Sequence, residues 1–469
     1  MRIVVEDAPP QPLQEPLLGG RDGGGGEGAG EAAPPPPPPQ PALRGGTCST
    51  AGGVSNLVTT AVGAGMVALP RAVSETGILL GMLLFLGTAA LTLCSTSIIV
   101  RYASRFDTKS YGDLVRLHFG RGGAALLQTA IVTHVGGVMI GYCVIVSDVL
   151  VGSAPGFRGV LPTLLGRHDN PWWLSRPAVL AAALCSVVGP LLVPRSLAGV
   201  ARFSRFGVAC VLGLAAPICL LAGPAAVEGR LAPDVRLLLD ASAMGGGTPL
   251  GIATSILAVV SVSCLAFTCH FNLVPVQCSL KDPSSTHMLR VLQAALAICA
   301  LVYATVAVCG YALFGSETDS DVLKNLTAAA VQRYVPPAVA ATIVYGIAAA
   351  FTFNLLVNFV LKVWAVRENL VELALGTAVQ RLSSPAFYGL TALLVAAAFG
   401  ISIFVPSIYA LLALVGSTAC VTFSYFFPAA LLWRLHKHPG PRAGAASMVA
   451  LGAAMAAIAV YDRLHGRGE

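Results

Sequence analysis

Charge is scarce in this chain. Only 11% of its 469 residues are Asp, Glu, Lys or Arg, against about 25% in a typical soluble domain. With 55% of residues apolar, too few charges remain to cover a water-facing surface, so most of the surface must face lipid. Lysine is the scarcest cation, five residues against 24 Arg. The net charge of +7 comes from loops, which suits contact with a membrane surface. No basic cluster is dense enough for nucleic acid. No Walker sequence, paired-carboxylate constellation or nucleophile elbow occurs, so neither an enzyme nor a bound cofactor is expected. The 12 Cys fall almost entirely within apolar runs, as Cys94, Cys143, Cys185 and Cys309 do. None has disulfide-like loop spacing or a zinc-like partnership with His, so reduced, buried thiols and no metal are expected.

The first 46 residues differ from the rest. They hold Gly23–Gly26, the tract Pro34–Pro39 and six acids. Such a segment cannot bury enough apolar surface to offset its ordering entropy, which predicts a disordered tail. It lacks the basic and apolar regions of a signal peptide, so the first span is expected to act as its own insertion signal. Glu15-Pro16-Leu17-Leu18 is a candidate sorting signal for an internal membrane.

Long apolar runs dominate the remainder of the chain. A membrane-crossing helix needs about 20 apolar residues. Candidate spans lie near 50–70, 77–100, 123–151, 177–194, 204–224, 249–276, 289–314, 335–361, 386–404, 406–428 and 445–461, about eleven in all. Lys and Arg accumulate in cytoplasmic loops. The loops after even-numbered spans carry sixteen of them, including Lys362 and Arg367, against eight after odd-numbered spans. This predicts an inside N-terminus and an outside C-terminus. The sole N-x-S/T sequon, at Asn325, then falls on the outside as a glycosylation candidate.

Two spans are interrupted. Span 1 reads Ser55-Asn56-Leu57-Val58-Thr59-Thr60-Ala61-Val62-Gly63-Ala64-Gly65-Met66-Val67-Ala68-Leu69-Pro70. It collects polar side chains, two closely spaced glycines and a proline that removes a backbone donor. Span 6, from Ser261 to Pro275, repeats the pattern through Phe267-Thr268-Cys269-His270-Phe271-Asn272. Backbone freed inside a bilayer needs partners. Paired interruptions at corresponding positions of two halves are the mark of a transporter site. There, half-helix N-termini face an anionic substrate group while unwound carbonyls face a cation. The competing explanation for Gly-x-Gly alone is close helix packing. No charged residue is predicted at the middle of either span, which favours a zwitterion with a neutral side chain as substrate. His134, Gln128 and Asp148 in span 3 are further polar candidates.

Gly63–Pro70 resembles the G-x-G-I-L-x-L-P signature of the amino acid/auxin permease family. Ser110-Tyr111-Gly112-Asp113 with Phe119-Gly120, and Phe267–Asn272, are similar to two further segments of that family. Lys281-Asp282-Pro283, Gly310–Gly315 and Gly416-Ser417-Thr418 with Pro428 fit its later landmarks. The resemblance covers residues 47–433 and is greatest to the sodium-coupled neutral amino acid transporters and their vacuolar and lysosomal relatives. It implies an all-α polytopic membrane protein with a leucine-transporter-type 5+5 inverted repeat and alternating access. It further implies symport of a small amino acid with Na⁺ or H⁺, in the plasma membrane or a vacuolar or lysosomal membrane. On this reading residues 1–46 are a cytoplasmic tail and 47–433 the transporter domain. Residues 434–469 hold a cytoplasmic loop, the eleventh span and a short tail. Gly63, Ala64, Gly65, Phe267 and Thr268 are the candidate substrate-binding positions, with Phe267 a gate or wall. The family's ion site implies Asn56 and Thr352, two neutral oxygen donors suited to a hard cation. His270 is the candidate for proton coupling. The expected partners are the amino acid and the bilayer, and the expected state is a monomer. A transporter-fold nutrient sensor, binding without flux, is the alternative.

Overall fold

The computed structural model describes residues 46–464 apart from 64, 154–156, 168–170, 196, 243, 378 and 406–407. The predicted tail and the Glu15–Leu18 signal therefore lie outside the described residues, as does Ala64. All eleven predicted stretches are helical. Seven described helices are long and apolar enough to cross a bilayer, and the bent pair Thr50–Ala61 and Gly65–Thr76 makes an eighth. These are spans 1, 2, 3, 6, 7, 8, 9 and 11 in chain order. The other three predicted spans take different forms. Span 4 is the shorter helix Arg176–Leu192, and span 5 is Leu197–Val227 with Pro217 and Pro224 inside it. Span 10 begins at Ile408–Val415, passes through π turns Gly416–Cys420 and Thr422–Phe426, and ends in Phe427–Leu435. The only strands among the described residues are an antiparallel pair, Gly152–Ser153 with Phe157–Arg158.

Local chemistry explains the punctuation. Ser49 caps span 1, its side chain accepting from the Gly52 N–H at 3.2 Å, and Ser110 caps span 3 through the Asp113 N–H at 2.9 Å, as N-cap hydroxyls do. Gly120, at φ 70°, kinks span 3 near its start, a backbone state that only glycine reaches without strain. Spans 3, 6 and 8 are the most enclosed, with 72%, 61% and 61% of their most apolar stretch buried, against 28% in span 2 and 22% in spans 9 and 11. The outer spans turn Leu83, Leu393 and Phe404 outward, where lipid is their natural solvent. Span 11 packs on span 10 at Gly452, where a Cβ would lie 2.6 Å from Val421 Cγ1.

The loops sort into two sets. Arg71 donates to the Thr318 carbonyl at 3.3 Å, Arg236 to the Ser74 carbonyl at 2.7 Å and Arg230 to the Arg333 carbonyl at 2.7 Å. Asp148 pairs with Arg176 and, at 3.7 Å, with Lys324. All these residues belong to loops or span ends after odd-numbered spans. On the other side, Gly46 N–H donates to the Leu280 carbonyl at 2.7 Å, and Gln277 donates to Ser104 at 2.6 Å. Arg116 pairs with Glu372 at 3.1 Å, and Arg195 donates to the Leu382 carbonyl at 2.6 Å. These belong to the N-terminal segment and the even-numbered loops. The partition matches the one drawn from charge.

Two residues of the basic set lie elsewhere than the loop pattern predicts. Lys362 and Arg367 are expected in the loop after span 8, but span 8 is a 39-residue helix, Pro337–Leu375, and both are buried within it. Arg367 lies between the rings of Trp364 and Phe387, at 4.1 and 3.8 Å from their centroids. Removing the two leaves fourteen basic residues against eight, so the charge bias keeps its sign.

Candidate functional site

Span 1 breaks where its sequence predicts. The helix Thr50–Ala61 ends at Val62, which is extended at φ −77° and ψ 107°, and the second half leaves at 60° to the first. Gly63 is required there because a Cβ would collide with the hydroxyl of Tyr142 from span 3. Gly65 lets span 1 approach span 6, since a Cβ would lie 3.0 Å from Ala266 Cα. Span 6 breaks beside this contact. Its first half, Pro249–Ala266, gives way at Phe267, and a 3₁₀ turn, His270–Asn272, leads into Leu273–Ser279.

A side chain joins the two breaks. Asn272 Nδ2 donates to Asn56 Oδ1 at 2.9 Å and to Thr60 Oγ1 at 2.8 Å. Thr60 Oγ1 in turn donates to the Asn56 carbonyl at 2.8 Å. Asn56, predicted as an ion ligand, is thus held at the junction of spans 1 and 6.

Thr352 is not brought to it. Its hydroxyl is buried without a partner. Span 8 reaches the span 1 break through another residue, Lys362, whose Nζ donates to the Thr60 carbonyl at 3.0 Å. Thr352 lies ten residues back along a helix rising 1.5 Å per residue, about 15 Å away along the axis. Asn56 and Thr352 therefore stand at different levels.

Lys362 is 5% exposed, and its ammonium also lies over the ring of Phe271, 5.0 Å from its centroid. The charge beside the interrupted spans thus comes from span 8, from a residue that the loop pattern placed after that span. Hydropathy ends span 8 at the first charge it meets, and so places Lys362 in a loop. An ionisable residue in an apolar run, here between Val360 and Trp364, is the signal that finds it.

The span 6 candidates are each engaged by neighbouring spans. Phe267 is fully buried, its ring tilted against Phe85 at 4.9 Å and edge-on to Tyr303 at 5.4 Å. Its ring is a packing element between spans 2 and 7. Thr268 donates to the Cys264 carbonyl at 2.7 Å and meets Cys420 Sγ of span 10 at 2.8 Å. His270 Nε2 bonds Ser95 Oγ of span 2 at 2.8 Å, which pins the break to that helix. Its Nδ1 has no partner, and neither do His134 Nδ1, Ser263 Oγ, Asn354 Nδ2 and Asn358 Oδ1. Unpartnered polar atoms are costly in a dry interior, and these lie on spans 3, 6 and 8, the three that enclose the centre. Asn325 is engaged at both ends of its amide, accepting from the Asp319 N–H at 2.8 Å and donating to the Glu317 carbonyl at 2.9 Å.

Discontinuous helices joined by a polar bridge inside a lipid-facing bundle define a multi-pass helical membrane protein with a central polar site. The chain belongs to the amino acid/auxin permease family: the profile described as "Transmembrane amino acid transporter protein" matches residues 46–461. That is a family of transporters and not of enzymes, and the match takes in span 11. Among curated relatives the chain is similar to "Amino acid transporter AVT6A" of Arabidopsis thaliana, 32% identical over 394 residues (82% of this chain, 81% of the relative). "Amino acid transporter AVT6E" of the same plant is 30% identical over 387 residues (82% and 76%). "Putative sodium-coupled neutral amino acid transporter 11" of Rattus norvegicus is 25% identical over 437 residues (90% and 88%).

Proposed function

We propose that this protein is a secondary active transporter that carries small neutral amino acids, such as glutamine and alanine, across a membrane by alternating access, driven by a cation gradient. The observation that carries this reading is the junction of the two breaks through Asn272, Asn56 and Thr60. It holds free main-chain groups of both helices together inside the bundle. The second half of span 1 starts at Gly65, so the N–H groups of its first turn and its positive dipole end suit a substrate carboxylate. Gly63, Ala64 and Gly65 supply that backbone, and Phe267 and Thr268 support the opposite edge through packing. The family resemblance supports two inverted halves of five spans, acting as a monomer.

Lys362 bears on the choice of substrate. A cationic side chain would meet a like charge near the site, which disfavours arginine and lysine. An uncharged centre would have disfavoured acidic substrates as well, but the Lys362 ammonium removes that barrier, so glutamate becomes the deciding competitor. The test is uptake of a radiolabelled amino acid panel into proteoliposomes under a Na⁺ gradient and then a pH gradient. Glutamine and alanine should exceed arginine and glutamate. Greater uptake of arginine or glutamate would overturn the substrate class, and binding without flux would mark a sensor instead.

A further inference from the structure

A helix that stops inside a membrane leaves its last carbonyls without intrahelical partners, at the negative end of its dipole. A coupling cation would settle there, among the carbonyls ending the first half of span 1 and donors facing them from span 8. In this chain span 8 meets the Thr60 carbonyl with a side chain that is itself a cation. It presents the Lys362 ammonium, at 3.0 Å. That ammonium also lies over the Phe271 ring, a favourable cation–π arrangement. No carboxylate pairs with Lys362 among the described residues. The titratable groups within reach of its charge are His134 of span 3 and Cys269 at the span 6 break. The neutral Thr60 carbonyl is therefore its hydrogen-bond acceptor among the described residues.

We propose that Lys362 is a tethered cation: its ammonium takes the position at the span 1 break that a free coupling Na⁺ would need, so the protein works without Na⁺. The proposal rests on reading the paired breaks as a transport site. Two like charges about 4 Å apart at an effective dielectric of about 20 repel enough to weaken binding about a thousandfold. A free Na⁺ and the Lys362 ammonium accordingly exclude one another. The same residue also ties span 8 to the break in span 1, because its ammonium donates to the Thr60 carbonyl.

The experiment compares the purified full chain in lipid nanodiscs and in proteoliposomes, in NaCl and in choline chloride at equal concentration. The midpoint of thermal unfolding needs no substrate and no flux, and should be the same in both salts for the wild type. Uptake of glutamine or alanine should likewise be unchanged when choline replaces Na⁺. Lys362→Thr, which removes the charge and adds an oxygen, should lose uptake at least tenfold and gain a Na⁺-dependent rise in its unfolding midpoint. A saturable stabilisation of the wild type by Na⁺, absent with choline, would overturn the proposal even if the variant fails to fold. Uptake that requires Na⁺ would overturn the tethered cation while leaving the transport reading intact. A wild type indifferent to Na⁺ that carries no amino acid under any gradient would support the tethered cation and overturn the transport reading.

Discussion

At Gly63 the missing side chain is replaced by the Tyr142 hydroxyl, which occupies the space a Cβ would need. Gly63→Ala should therefore overpack the span 1 break at a cost of about 1–3 kcal/mol, read as a lowered unfolding midpoint and reduced uptake. Adding Tyr142→Phe should recover part of the loss, because the closest colliding atom is then gone. No recovery in the double variant would show that Gly63 serves the backbone bend alone. Asn272 has a different weight. It is the shared donor to Asn56 and Thr60, so Asn272→Ala strands two acceptors at once. Roughly 1–3 kcal/mol is expected for a group left unsatisfied. A variant as stable and active as the wild type would remove the bridge from the account of the site.

At the scale of elements, the short helix Val322–Asn325 in the loop after span 7 is capped by Asp321, whose carboxylate accepts from the Leu323 N–H at 2.9 Å. Burial pushes the Asp321 carboxyl up from 3.8 to about 7. The Leu323 N–H and Lys324 oppose that rise, and Asp148 and Asp319 add to it. The folded state therefore holds a proton that the unfolded chain has released, and stability contributed by this group falls as pH rises from about 4 to about 7. Above that window both states are ionised and the penalty is constant. Asp321→Asn keeps the cap acceptor and removes the titration. It should flatten thermal stability across the window and raise it at pH 8 relative to the wild type, with no gain at pH 3.5. A wild-type curve already flat between pH 4 and 7 would contradict the assignment. The cap borders the Lys324–Asp148 pair, so the same carboxylate tunes the link between span 3 and this loop.

At the scale of the whole molecule, sidedness rests on two independent lines. Basic residues favour the even-numbered loops, and the contacts between loops are even with even or odd with odd. Epitopes inserted after Pro283 and after Gln332 should accordingly be reached by antibody from opposite faces of sealed vesicles. Labelling of both from one face would refute the arrangement. The bundle also explains why so few charges suffice. Leu83, Leu393 and Phe404 face outward, while Asn272, His270 and Lys362 are held by partners inside a largely apolar core.

Composition by itself determined that the chain is a lipid-embedded helical bundle, because the scarcity of charge and the length of the apolar runs are properties of the residues and need no partner. The break in span 1 was equally legible, since Gly63, Gly65 and Pro70 weaken a helix wherever they stand. Tertiary structure alone decided what meets at that break. Asn272 and Asn56 are 216 residues apart, and nothing in local periodicity specifies which side chains converge across such a distance. It also decided the status of Lys362. A charge at the end of a hydropathic run reads as a loop residue until another helix is seen to offer it a carbonyl, and that carbonyl belongs to Thr60 in span 1.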